Sequence, residues 1–177
     1  GTSTAACSGE IVSAGRSDMH RTLGIAGVGF AAVLPVVGLF ASLYGALRAS
    51  GPPGIPPMTF LAVPLLSIPA YAGLLIAALR ARRNPAKHKR LMLLTMAIFT
   101  APALGRLPIF PGPTGFVLMP LTFVAALWIW DKYALGHIHK ATRWGSLVVA
   151  ISLLLPLAIG FTAPWLAFAK WATGLVA

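Results

Sequence analysis

Five long apolar runs dominate this chain, and they restrict it to one kind of fold. They are Thr22–Leu47, Thr59–Leu79, Leu91–Ile109, Pro113–Trp130 and a run close to Ala141–Gly160. At 1.5 Å per helical residue each reaches across a hydrocarbon core of about 30 Å. Inside lipid every backbone N–H and C=O needs an internal partner, which only helices and closed barrels provide. The alternation of apolar and polar residues that marks a barrel strand is absent. The expected fold class is therefore all-α, an integral membrane bundle of about five transmembrane helices.

Composition agrees. Of 177 residues, 58% are hydrophobic and 10% charged, where a soluble domain carries about 25% charged residues. This argues against a soluble enzyme, a disordered chain and a disulfide scaffold. Cys7 is the one cysteine, which leaves no internal disulfide, CxxC pair or cysteine-based zinc cluster. Residues 1–19 are small and polar and hold no apolar h-region, so no cleavable signal is expected there. They read as a cytoplasmic N-terminal segment ahead of a single transmembrane domain, 20–177. The tail, 162–177, starts with Thr162 and Pro164 as helix-opening residues and carries Trp165, Phe168, Lys170 and Trp171. It is read either as an interfacial helix or as an extension of the last span.

The connections are equally plain. Arg48–Pro57 holds four prolines and two glycines and cannot be helical. Phe110-Pro-Gly-Pro113 reads as a tight turn, Arg80–Arg90 as a basic loop around Asn84-Pro85, and Asp131–Arg143 as a second polar connection. Pro35, Pro64, Pro69, Pro102, Pro120 and Pro156 lie within spans and are expected to bend them. Gly24, Gly27, Gly38, Ser42 and Gly45 give the first span small faces for close helix approach.

Charge sets the expected orientation. The chain has 14 Lys+Arg against 3 Asp+Glu. With odd spans running outward, Arg16, Arg21, Arg80, Arg82, Arg83, Lys87, Lys89, Arg90, Lys132, Lys140 and Arg143 share one side, and only Arg48, Arg106 and Lys170 fall on the other. The positive-inside bias then places the N-terminus in the cytoplasm of a bacterial inner membrane. A basic face of this kind attracts anionic headgroups. Nothing favours nucleic acid, since no basic stretch is interleaved with solvent-facing aromatics.

The same topology gathers all four histidines on the basic side. His20 opens the first span, His88 the third, and His137 and His139 lie between the fourth and fifth. Imidazole is the commonest metal side-chain ligand and an axial ligand of haem iron. Histidines from three connections around one bundle end could converge on haem b or on a copper, zinc or iron ion. The scarcity of carboxylates disfavours a di-iron site. The plainer alternative is that these rings meet headgroups and cap helices. Asp131 is expected to pair with a cation or to orient a histidine through a hydrogen bond. Arg106 lies about 27 Å from His88 along a helix, so it belongs to the other face, where it would contact lipid or an anion. Trp128, Trp130, Trp144, Trp165 and Trp171 fall near span ends as an aromatic belt. No phosphate-binding Gly loop, HExxH, Gly-x-Ser-x-Gly or paired glycosidase carboxylates occur.

The stretch Arg83-Asn-Pro-Ala-Lys-His-Lys-Arg-Leu-Met-Leu-Leu94, with His20-Arg-Thr-Leu-Gly24, Gly105-Arg106 and Gly136-His-Ile-His139, resembles an uncharacterised family of small bacterial multi-span membrane proteins. Their signature is His-Lys-Arg-Leu-Met at the start of a span. The resemblance implies a polytopic helical bundle and little about activity. A weaker likeness is to the transmembrane di-haem cytochromes b, which place histidines at helix ends. Those need histidines toward both faces, whereas here all lie toward one, so at most one haem layer could be built.

Two functions follow as expectations. One is a haem- or metal-binding membrane protein in redox or respiratory electron transport, with His20, His88, His137 and His139 as ligands. The other is a non-catalytic accessory subunit of a larger membrane complex. A transporter has less support, since no midplane charge or inverted repeat is evident. Under the first reading, His88→Ala lowers the haem or metal content of the purified protein. Unchanged content on elemental analysis removes that assignment.

Overall fold

The computed structural model describes residues 3–52, 54–104 and 113–176, with side chains described over 22–52, 54–101 and 115–176. Seven helices follow in order among the described residues: α1 (Ser3–Leu47), α2 (Pro57–Phe60), α3 (Ala62–Arg80), α4 (Pro85–Leu104), α5 (Pro113–Leu135), α6 (Lys140–Ile159) and α7 (Ala163–Gly174). There is no strand among the described residues. The chain forms two compact units, Gly1–Val37 and Gly38–Ala177. The first is a helical rod, the N-terminal part of α1. The second holds the last turns of α1 and all other helices.

Among the described residues four helical stretches are long and apolar enough to cross a membrane: Thr22–Leu47, Pro57–Arg80, Gly115–Leu135 and Lys140–Ile159. The expected third span is not among them. Its helix, α4, starts at Pro85 and not at Leu91, because Asn84 caps it: Asn84 Oδ1 accepts from Lys87 N at 3.1 Å, with Pro85 in the first turn. The polar turn 87–90 is thus helical and lowers the hydropathy of α4. The end of the expected third span, 105–109, lies outside the described residues, and with it Arg106 and the turn at 110–112.

In the second unit α4 is the central helix, packed against α3, α5 and α6. Leu91, Leu94, Thr95, Ala97, Ile98 and Ala101 are buried on it. These positions recur at the three-to-four spacing of a helix face. On α6 the matching stripe is Ala141, Thr142, Gly145, Ser146, Val149, Ser152, Leu153 and Pro156. Two hydroxyls in these stripes, on Thr95 and Ser152, are satisfied along their own helices. Thr95 Oγ1 donates to Leu91 O at 2.8 Å and Ser152 Oγ to Val149 O at 2.8 Å. A Cβ on Gly145 would collide with the Leu94 side chain, so glycine is what lets α6 approach α4. Leu93, Met96, Phe99, Leu118, Phe123, Ile151 and Leu154 point outward and are exposed. A soluble fold avoids such an apolar exterior, whereas lipid covers it without cost.

The prolines divide by position. Pro35, Pro69, Pro120 and Pro156 lie inside helices, as the sequence suggests. Pro64 falls in the first turn of α3, where proline is tolerated. The Pro-rich loop breaks the chain as expected, with Ala49 at φ 53° and Gly54 at φ 83°.

The tail forms a helix of its own. α6 ends at Ile159, and α7 starts after a short turn. α7 packs on α2, and Trp165 Nε1 donates to Met58 O at 2.9 Å. Leu43, Ala46, Leu61, Ala62, Trp165, Ala169 and Ala172 form one buried apolar cluster around that contact.

Gly145→Val is expected to cost about 1–3 kcal/mol through overpacking against Leu94. Gly73→Ala, where an added Cβ meets nothing within 4 Å, should not destabilise the bundle. Thermal unfolding in detergent compares the two.

Candidate functional site

The polar chemistry of the bundle collects where α3 ends, α4 starts, α5 ends and α6 starts. Asp131, on the last turns of α5, is fully buried. An isolated carboxylate there would carry a large desolvation penalty, so its partners decide whether the site can exist. Arg90 of α4 supplies two charge-assisted bonds to one oxygen: Nε to Oδ1 at 2.8 Å and Nη2 to Oδ1 at 2.5 Å. The other oxygen accepts from Thr142 Oγ1 at 2.5 Å and from the backbone N–H of His139 at 3.1 Å. Arg90 spends a further donor on Ala86 O at 2.7 Å. Among the described residues no buried side-chain nitrogen or oxygen lacks a hydrogen-bond partner.

The expected cation partner of Asp131 is thus Arg90. Its bond to His139 runs through the backbone and not through the imidazole. α5 continues to Leu135, so Asp131 is helical and not part of a loop. Gly136, at φ 73°, then turns the chain in a conformation that glycine adopts without strain. The connection shrinks to residues 136–139, and His139 becomes the N-cap of α6.

The histidines are engaged locally. His88 lies on the first turns of α4, with Nδ1 2.8 Å from Ala78 O. A carbonyl only accepts, so Nδ1 carries the proton there. His137 Nδ1 makes the same kind of contact with Leu135 O at 3.0 Å. His139 is the reverse, with Nδ1 accepting from Ala141 N at 3.0 Å. A neutral ring in that role protonates Nε2 and has no free lone pair for a metal. Among the described residues no group of three His, Cys, Asp or Glu could hold a metal ion. The described histidines therefore do not make a ligand set by themselves. His20 lies on α1 with its side chain outside the described residues, and Arg106 lies outside them altogether.

Two participants were not singled out in the sequence, Arg90 and Thr142. Both continue buried stripes: Arg90 precedes Leu94, Ala97 and Ala101 at helical spacing, and Thr142 precedes Ser146 and Val149. Starting α4 at its Asn-Pro cap would have exposed Arg90 as an inward-facing charge.

Beside this closed centre lies an open groove lined by Lys87, Lys132, Lys140 and Arg143, with Trp128, His137 and His139. Trp128 Nε1 donates to Ser146 Oγ at 2.9 Å, which ties α5 to α6 along it.

No known protein family, no curated protein and no solved structure matches this chain.

Asp131→Ala leaves Arg90 buried without its counter-charge and should cost about 3–5 kcal/mol. The double variant Arg90→Met/Asp131→Leu should recover much of that loss. Thr142→Val should cost about 1.5–3 kcal/mol, since its hydroxyl bonds a charged group. Unfolding in mixed detergent micelles measures all three.

Proposed function

We propose that this protein is a non-catalytic helical component of a larger assembly in the bacterial inner membrane, with its basic end toward the cytoplasm. The observation that carries this reading is the closure of its buried charge centre. Every acceptor direction of Asp131 that the fold addresses is taken by Arg90, Thr142 or the His139 backbone. A general acid or base must be able to reach a substrate. A carboxylate held by four donors from three segments acts instead as a fastening between helices.

The first span supplies the surface for assembly. Gly24, Gly27 and Gly29 leave open helix surface, since an added Cβ meets nothing within 4 Å at any of them. Small residues on a membrane helix let another helix approach closely. His137, which lines the groove with Nδ1 on a carbonyl and Nε2 left for a ligand, keeps a haem or metal reading as the alternative. That centre would need ligands from another chain to complete it.

Extraction from native membranes in mild detergent separates the two. The assembly reading expects migration as a large complex, and Gly27→Leu, at a position where an added Cβ meets nothing within 4 Å, should shift the protein toward the free form. A monomer in both forms overturns it. A dithionite-reducible Soret band, or stoichiometric iron, copper or zinc in the same sample, would replace it with the histidine centre.

A further inference from the structure

We propose that the groove at the α5–α6 end of the bundle binds the phosphate headgroup of an anionic membrane lipid. Four cations line it, each from an exposed position: Lys87 of α4, Lys132 of α5, and Lys140 and Arg143 of α6. Asp131 is the only carboxylate among the described side chains, and Arg90 occupies it. The four groove cations therefore have no ion-pair partner among the described residues. Like charges held around one groove repel each other, and a bound phosphate relieves that repulsion while accepting several N–H donors.

Helix-dipole chemistry is not what makes the site. The Ala141 N–H at the start of α6 is already capped by His139. Side chains from three helices provide the recognition, and the Trp128 indole borders it while bonded to Ser146.

The surroundings select a lipid over a soluble phosphate. Trp130, Tyr133 and Trp144 are 66%, 88% and 68% exposed on the same turns of α5 and α6. Amphipathic rings at that level mark the headgroup layer. About one turn further into the spans than Lys132 and Arg143, Ile129 and Leu147 are exposed and apolar. A headgroup in the groove would thus have its acyl chains running beside those residues. Basic pockets between transmembrane helices have this character. The inference stands whether or not the bundle joins a larger assembly.

Native mass spectrometry of the full chain in detergent tests this, with phosphatidylglycerol, phosphatidylcholine and inorganic phosphate as separate probes. The expected result is retained phosphatidylglycerol adducts, few phosphatidylcholine adducts, and no competition by inorganic phosphate at matched concentration. Lys132→Gln/Arg143→Gln should weaken phosphatidylglycerol binding about 30-fold, as two basic contacts at a membrane surface imply. Lys87→Gln/Lys140→Gln should act alike and gives a second reading if the first variant misfolds. Arg82→Gln/Lys89→Gln removes equal charge from exposed residues outside the groove and should bind as the parent does. Equal loss in all three variants would reduce the effect to diffuse face charge and overturn the site. Equal binding of phosphatidylcholine, or displacement by inorganic phosphate, would overturn the lipid assignment.

Discussion

The Arg90–Asp131 pair is the constraint around which the membrane bundle is arranged. A carboxylate with no solvent exposure is tolerable only if its charge and its lone pairs are met. Meeting them requires α4, α5 and α6 to present particular atoms at one point. α4 contributes a forked guanidinium, α6 a threonine hydroxyl, and the intervening turn a backbone N–H. Apolar packing between helices in lipid has little directional preference, because lipid tails are as apolar as leucine. A buried ion pair supplies direction. It fixes the rotation of three helices about their axes and the depth at which their ends meet.

Elsewhere the packing follows from that register. With Arg90 facing inward, Leu94 and Ala101 fall on the same face of α4, and Gly145 of α6 opposes Leu94. The glycine permits the approach, and the ion pair determines where it occurs. Sequence order serves this as well. Asp131 and Thr142 are 11 residues apart across a short turn, so α5 and α6 form a hairpin clasped at its base. Arg90 then joins that hairpin to α4.

Helices were legible in the sequence wherever lipid-facing apolar residues made them so. α1, α5 and α6 follow the apolar runs that mark them, and the second run covers the end of α2 and nearly all of α3. The polar ends were not legible, for one physical reason. Hydropathy reports the medium around a side chain, whereas a helix ends where its backbone bonds end. Residues 87–90 and 131–135 are helical turns carrying polar or charged groups, so apolar runs stop short of them. The Asn84-Pro85 cap was the available signal for α4. The histidines show the same limit. Connectivity placed His88, His137 and His139 at polar connections, while the partner of each ring depended on local geometry. A carbonyl of the preceding helix engages His88, one at the end of α5 engages His137, and a helix start engages His139. Asp131 was legible as a residue in need of a cation, and Arg90 only by extending the buried stripe of α4 backward.

The contact between Trp165 and Met58 bears on how this protein is made. The two residues are 107 apart in the chain. Translation at roughly 5–20 residues per second puts about 5–20 s between their emergence. Throughout that interval Leu61 and Ala62 lack the helix that later covers them, and the Met58 carbonyl lacks its indole donor. α2 thus waits on α7 to leave the ribosome. The seam between α2 and α7 is therefore completed only after residue 165 has emerged, however early α3 and α4 meet.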